Sequence, residues 1–79
     1  MKTRKVYWLS EVPAEDDFGL KITDEFIDGK TIMGPWAMMT PRSWKLYGGN
    51  CKLGLGMGQR YKLNPDATKP HEKWPKVEG

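Results

Sequence analysis

Few side chains in this 79-residue chain are of types that carry chemistry. Cys51 is the single cysteine and His71 the single histidine. One thiol forms no intramolecular disulfide, and one thiol with one imidazole falls short of the four ligands of a structural zinc site. Cys51 stands beside Lys52, but no local motif supplies the base that an activated nucleophile needs. A buried, inert thiol is the expectation. The acidic run Glu15-Asp16-Asp17 has no His or Cys nearby and makes a poor transition-metal site. A calcium loop needs oxygen ligands spread over about twelve residues, and Phe18-Gly19-Leu20 interrupts that pattern. The run reads as a solvated acidic turn. Gly54-Leu55-Gly56-Met57-Gly58 looks only superficially like a dinucleotide fingerprint, with no strong strand before it and no evident helix after it. It reads as a turn in which the backbone bulges or approaches a neighbour closely, or as a backbone loop that contacts phosphate between Lys52 and Arg60. No catalytic residue, metal ligand set or cofactor is expected, and the chain does not read as an enzyme.

Charge and aromatic residues are more informative. The net charge is only +3, but it is unevenly distributed. From Glu11 to Asp28 there are seven acids and one base, Lys21; from Gly29 to Pro65 there are six bases and no acid. Such segregation bears on partners rather than on fold. Arg42, Lys45, Lys52, Arg60 and Lys62, with Tyr61 to stack on a base, would make a nucleic-acid face. Trp44, Tyr47 and Trp74 are candidate anchors for a protein partner.

The stretch Asp24–Tyr47 organises the elements. Asp28-Gly29 between short apolar or β-branched runs predicts a tight hairpin turn. Gly34-Pro35 breaks the strand that follows, and Trp36–Met39 reads as a short buried strand. Thr40-Pro41 has helix-start chemistry, a hydroxyl cap and then proline at the first helical position. The helix runs about two turns to Gly48-Gly49, too short to stand without packing on a sheet. Residues 4–9 read as a strand, and Phe18–Thr23 alternates like a half-buried one. Gln59–Leu63 reads as the last strand, with Arg60 and Lys62 on one face. Residues 1–63 therefore read as one small domain. Residues 64–79, polar and punctuated by Pro65, Pro70 and Pro75, read as an extended tail. Its Trp74 either anchors a partner or folds back on the domain.

A chain this short buries little core and usually needs a disulfide, a metal or a partner for stability. With no disulfide or metal set available, tight aromatic packing or association remains. A lone cysteine fits a reducing compartment. The N-terminus lacks a signal-peptide apolar core, and no apolar run approaches the ~20 residues of a membrane span. No membrane partner is expected.

Three segments, Gly34-Pro35-Trp36-Ala37-Met38-Met39, Leu46-Tyr47-Gly48 and Gly54-Leu55-Gly56-Met57-Gly58-Gln59-Arg60-Tyr61, resemble small, mostly uncharacterised bacteriophage and prophage proteins of zinc-ribbon or treble-clef type. The pattern is a CxxCG knuckle, a hairpin, GPWAxMCxxC entering a short helix, and a GLGxGxGQxY tail. The resemblance covers roughly residues 15–61. It implies an α+β fold built on a treble-clef-like hairpin and one short helix, with additional short strands. The family's cysteine positions fall here on Glu15, Phe18, Thr40 and Ser43, which cannot form a thiolate tetrahedron. A metal-free version of the scaffold is implied, with Phe18 filling the metal's space. Because zinc supplies much of the folding free energy in such scaffolds, this chain must be stabilised in another way.

The expected function is that of a small phage-type interaction or structural accessory protein, a virion or assembly component acting in the virion or host cytoplasm. It would bind a phage or host protein or further copies of itself. The alternative is a nucleic-acid-binding module using the basic face of residues 42–62.

Overall fold

The computed structural model describes residues 6–49 and 52–79. They adopt an α+β fold: β1 (Glu25–Lys30), β2 (Trp36–Met39), α1 (Pro41–Tyr47), β3 (Gly58–Lys62), a 3-10 turn (Pro70–Glu72) and β4 (Lys76–Glu78). The strands form one antiparallel sheet in the order β2-β1-β3-β4.

The hairpin turn is not at Asp28-Gly29. Both residues lie inside β1, where Asp28 pairs with Met38 and Gln59, and Gly29 with Ala37 and Gly58. The turn is the five-residue loop 31–35, closed by the Thr31 amide and hydroxyl donating to the Pro35 carbonyl at 3.0 and 2.7 Å. Packing decides this, not turn propensity. A Cβ on Gly29 would stand 2.7 Å from the Trp44 ring and 3.2 Å from the Met57 carbonyl oxygen. Glycine is needed here so that the α1 indole can lie on the sheet.

The helix forms where its cap chemistry puts it. Thr40 Oγ1 accepts from the Ser43 amide, and Pro41 fills the first turn. At the other end Gly48 keeps an extended φ of −69°. Its role is space, because a Cβ there would collide with the Trp44 ring. In the glycine-rich turn the expected close backbone approach occurs at Gly58, where a Cβ would stand 2.9 Å from the Gly29 Cα, while Gly54 and Gly56 have open space around them.

Each face of the sheet carries its own core. On the α1 face, Ile27, Met39 and Trp44 are buried, with Phe18, Ala37, Tyr47 and Leu53 against them. On the other face Ile22, Phe26 and Tyr61 are buried, joined by Trp8, Val12, Met38 and Trp74. The alternation in β1 feeds both, Phe26 to one side and Ile27 to the other.

Two expected strands resolve differently. Residues 18–23 form no strand: a turn around Gly19 (φ +83°) sends Phe18 to one core and Ile22 to the other. Of the strand expected at 4–9, residues 4 and 5 lie outside the described residues. Tyr7 makes a single bridge to Pro75, flanked by Trp8 N–H to the Trp74 carbonyl at 2.9 Å and Lys76 N–H to the Val6 carbonyl.

Residues 64–79 are not an extended tail. They turn back, and β4 joins the sheet against β3, with a bulge between Arg60 and Tyr61. Trp74 packs on Phe26 with ring centroids 5.1 Å apart. The boundary expected at residue 63 is therefore no boundary, because apolar burial of one tryptophan outweighs the polar composition around it.

Candidate interaction surfaces

The most elaborate polar arrangement is internal. Asp16, expected in a solvated turn, is buried. Its Oδ1 accepts from the amides of Phe18 and Leu20, both at 2.9 Å. Its Oδ2 accepts from the Thr40 amide at 2.8 Å, the Thr40 hydroxyl at 2.9 Å and the Ser43 hydroxyl at 2.6 Å. Burial alone would raise its pKa; the bonds from Ser43, Thr40, Leu20 and Phe18 outweigh it and bring the pKa down to about 2. The carboxylate thus joins the segments 15–18 and 40–43. Phe18 lies beside this knot, stacked on Tyr47 at 4.2 Å. Asp17 continues the join, its amide donating to the Met38 carbonyl at 3.0 Å and its carboxylate accepting from the Met38 amide at 2.7 Å. With its acceptor positions engaged by the chain itself, Asp16 is a structural staple.

The anticipated contact residues are placed unevenly. Trp44 is 7% exposed and belongs to the core. Tyr47 is half-buried on Phe18 and Trp74 half-buried on Phe26. All three therefore serve the chain's own packing. Tyr61 is 7% exposed and stacked on Phe26, so it presents no face to a base. Arg60 and Lys62 do share a face, but Arg60 is held by Glu25 at 3.3 Å and Glu78 at 2.9 Å, one from each flanking strand. Arg42, Lys45, Lys52 and Lys62 are exposed. Cys51 lies outside the described residues. His71 is exposed in the 3-10 turn, its Nε2 3.7 Å from a Glu72 oxygen. Among the described residues no three His, Cys, Asp or Glu side chains converge to hold a metal, and no helix is long and apolar enough to cross a membrane.

Exposed apolar side chains lie at one end of β1 and a groove at the other. At its C-terminal end three segments meet. Lys30 N–H donates to the Met57 carbonyl at 2.9 Å, Gly49 N–H to the Lys30 carbonyl at 2.8 Å, and Ile32 N–H to the Tyr47 carbonyl at 2.8 Å. These bonds gather the hairpin loop, the end of α1 and the glycine-rich turn 53–57. Their large apolar side chains face solvent: Leu55 is 100% exposed, Ile32 66%, Met33 65%, Leu46 59% and Trp36 45%. This apolar tip is missed by a search for aromatic anchors, because four of its five side chains are aliphatic. The signal was present as Ile32-Met33 and Leu55 beside turn glycines.

At the opposite end, a groove of about 420 Å³ is lined by Trp8, Glu11, Val12, Pro13, Ile22 and Trp74 among others. Trp8 stands edge-on to Phe26 (5.2 Å, 81°) and Tyr61 (5.5 Å, 67°), and its buried Nε1 has no acceptor among the described residues.

The sheet edges offer less. On β2 the outward polar groups of Met38 are bonded to Asp17, and on β4 the Lys76 amide is bonded to Val6. Such covering discourages strand addition by another chain.

No family model matches this chain, and neither does any curated protein or solved structure.

Proposed function

We propose that this chain is a small, non-enzymatic binding protein that docks a protein partner, or further copies of itself, through the apolar tip of its sheet. One observation carries the reading: three segments whose backbones are joined at one end of β1 carry the exposed apolar side chains Ile32, Met33, Leu46 and Leu55. Exposed apolar side chains gathered at one end of a small protein mark an interaction site. The strongly perturbed carboxylate, where chemistry would first be sought, is spent on joining two loops, which favours a structural over a catalytic role. The resemblance to small phage proteins supports a virion or assembly accessory as the setting.

A nucleic-acid reading rests on the acid-free stretch Gly29–Pro65 and its exposed Arg42, Lys52 and Lys62. Burial of Tyr61 and pairing of Arg60 remove its stacking residue and one of its cations, so it ranks second. A tagged pull-down from host lysate, split into nuclease-treated and untreated halves, separates the two. A stoichiometric protein that survives nuclease and is lost in Ile32→Lys/Met33→Lys supports docking at the tip. Recovery of nucleic acid, with steep loss of binding as salt rises, supports the second reading.

A further inference from the structure

We infer that the groove at the N-terminal end of β1 is a binding site in its own right, separate from the tip, and that it takes a short free peptide with an apolar side chain. The groove is built before any ligand arrives. Backbone bonds run from segment to segment around it: the Ile22 amide donates to the Ala14 carbonyl at 2.8 Å, the Leu63 amide to the Asp24 carbonyl at 2.7 Å, the Asn64 amide to the Lys73 carbonyl at 2.7 Å and the Trp8 amide to the Trp74 carbonyl at 2.9 Å. Its volume of about 420 Å³ falls within the ~300–1,000 Å³ of small-ligand sites. A cleft held in this way needs little ordering when it is filled.

The lining narrows the ligand. Trp8, Val12, Ile22 and Trp74 make its apolar part, and both indoles are only half-buried by the chain itself. Glu11 and Lys73 line the groove from different segments of that ring; both are exposed, and neither forms an ion pair among the described residues. A simple anion is drawn to Lys73 and repelled by Glu11, and a simple cation the reverse. A molecule carrying both charges satisfies both. A free peptide has an ammonium at one terminus, a carboxylate at the other and side chains between them. With its ammonium at Glu11 and its carboxylate at Lys73, it lays an apolar side chain on the indoles, which offer the largest apolar area in the groove. The exposed hydroxyls of Ser10 and Thr23 in the same lining can bond its peptide amide, a group that a single amino acid lacks.

The test is an NMR titration of the isotope-labelled full chain with leucyl-leucine, N-acetyl-leucyl-leucine, leucyl-leucinamide and leucine. Leucyl-leucine should shift the Trp8 and Trp74 indole signals saturably and leave the amides of Ile32 and Met33 in place. Each blocked dipeptide has lost one terminal charge and should bind about two- to fivefold more weakly, the factor of one exposed ion pair. Leucine, without a peptide amide or a second side chain, should be weaker than leucyl-leucine too. Glu11→Gln should cancel the penalty of acetylation and keep that of amidation, and Lys73→Gln should do the reverse. General damage to the groove would not separate the two penalties in this way. Both positions are exposed, so both variants should keep the wild-type spectrum away from the groove; if one does not, the blocked dipeptides on the wild type still decide. Indole signals that stay put at millimolar leucyl-leucine would overturn the inference. So would a blocked dipeptide or leucine that binds the wild type as tightly, or penalties that persist in both folded variants. None of these results touches the docking reading, which is tested at Ile32 and Met33.

Discussion

Asp16 ties two distant segments together through one buried carboxylate. Its carboxylate satisfies three backbone amides and two hydroxyls that would otherwise be partly or wholly buried without acceptors. Leaving such groups unsatisfied costs about 1–3 kcal/mol each, against a total stability of about 4–12 kcal/mol for a chain of this length. Asp16→Ala should therefore lack a cooperative unfolding transition in urea, whereas Ser43→Ala should keep one and lose only about 1–2 kcal/mol. The acid dependence follows from two opposite shifts. Asp16 falls from 3.8 to about 2, so its contribution is complete above pH 3.8 and disappears as pH falls toward 2. Asp28 is raised, first by burial and then by the negative charge of Asp17, so its ionised form opposes folding and protonation relieves that cost. Urea unfolding measured from pH 7 downward should show stability rising as Asp28 protonates, then falling below pH 3.8. Asp28→Asn should abolish the rise and leave the fall. The burial of Asp16 was not legible locally, because the Thr40 and Ser43 groups that engage its Oδ2 lie 24 and 27 positions away, and a three-acid run reads as solvent-facing until they arrive.

Elements whose signals are local were legible: the Thr40-Pro41 helix start, the strand at Trp36–Met39, and β3 to within one residue at each end. Those whose signal depends on tertiary contact were not. Asp28-Gly29 has turn chemistry, yet a strand with an indole above it also requires glycine, and the dipeptide cannot distinguish the two. The apparent strand at Phe18–Thr23 fails because Asp16 captures alternate amides and folds the segment into a loop. The glycine argument has a direct consequence. Gly29→Ala puts a methyl 2.7 Å from the Trp44 ring, and its φ is not in the left-handed region, so the cost is steric. Overpacking of this kind costs about 1–3 kcal/mol. The urea midpoint should drop accordingly, with a change in near-ultraviolet circular dichroism as the indole moves. Gly19→Ala meets no atom within 4 Å but sits at φ +83°, so its smaller loss, about 1 kcal/mol, should leave the aromatic signal unchanged.

At the scale of the whole molecule, the residues that hold the fold and the exposed apolar side chains at the end of β1 occupy different places. The flat body, 36 × 33 × 16 Å, is closed at one edge by β4 and Val6–Trp8 and at the other by the Asp16–Asp17 loop. Removing residues 64–79 strips a strand from the sheet and Trp74 from Phe26, so the truncated chain should lose cooperative unfolding. Trp74→Ala alone should cost about 2–4 kcal/mol, somewhat less than a fully buried aromatic. Loss of partner binding in either would report unfolding, not a lost anchor. The tip behaves in the opposite way. Ile32, Met33 and Leu55 contribute little burial to the folded state, and substitutions at such surface sites usually change stability by no more than about 0.5 kcal/mol. Ile32→Ser, Met33→Ser and Leu55→Ser should leave the urea midpoint in place and weaken association together, since their apolar area leaves water only when a partner covers it. Paired measurements of midpoint and association on the same variants check this. A tip substitution that lowers both in parallel would mean that these side chains belong to the fold and that the binding surface lies elsewhere.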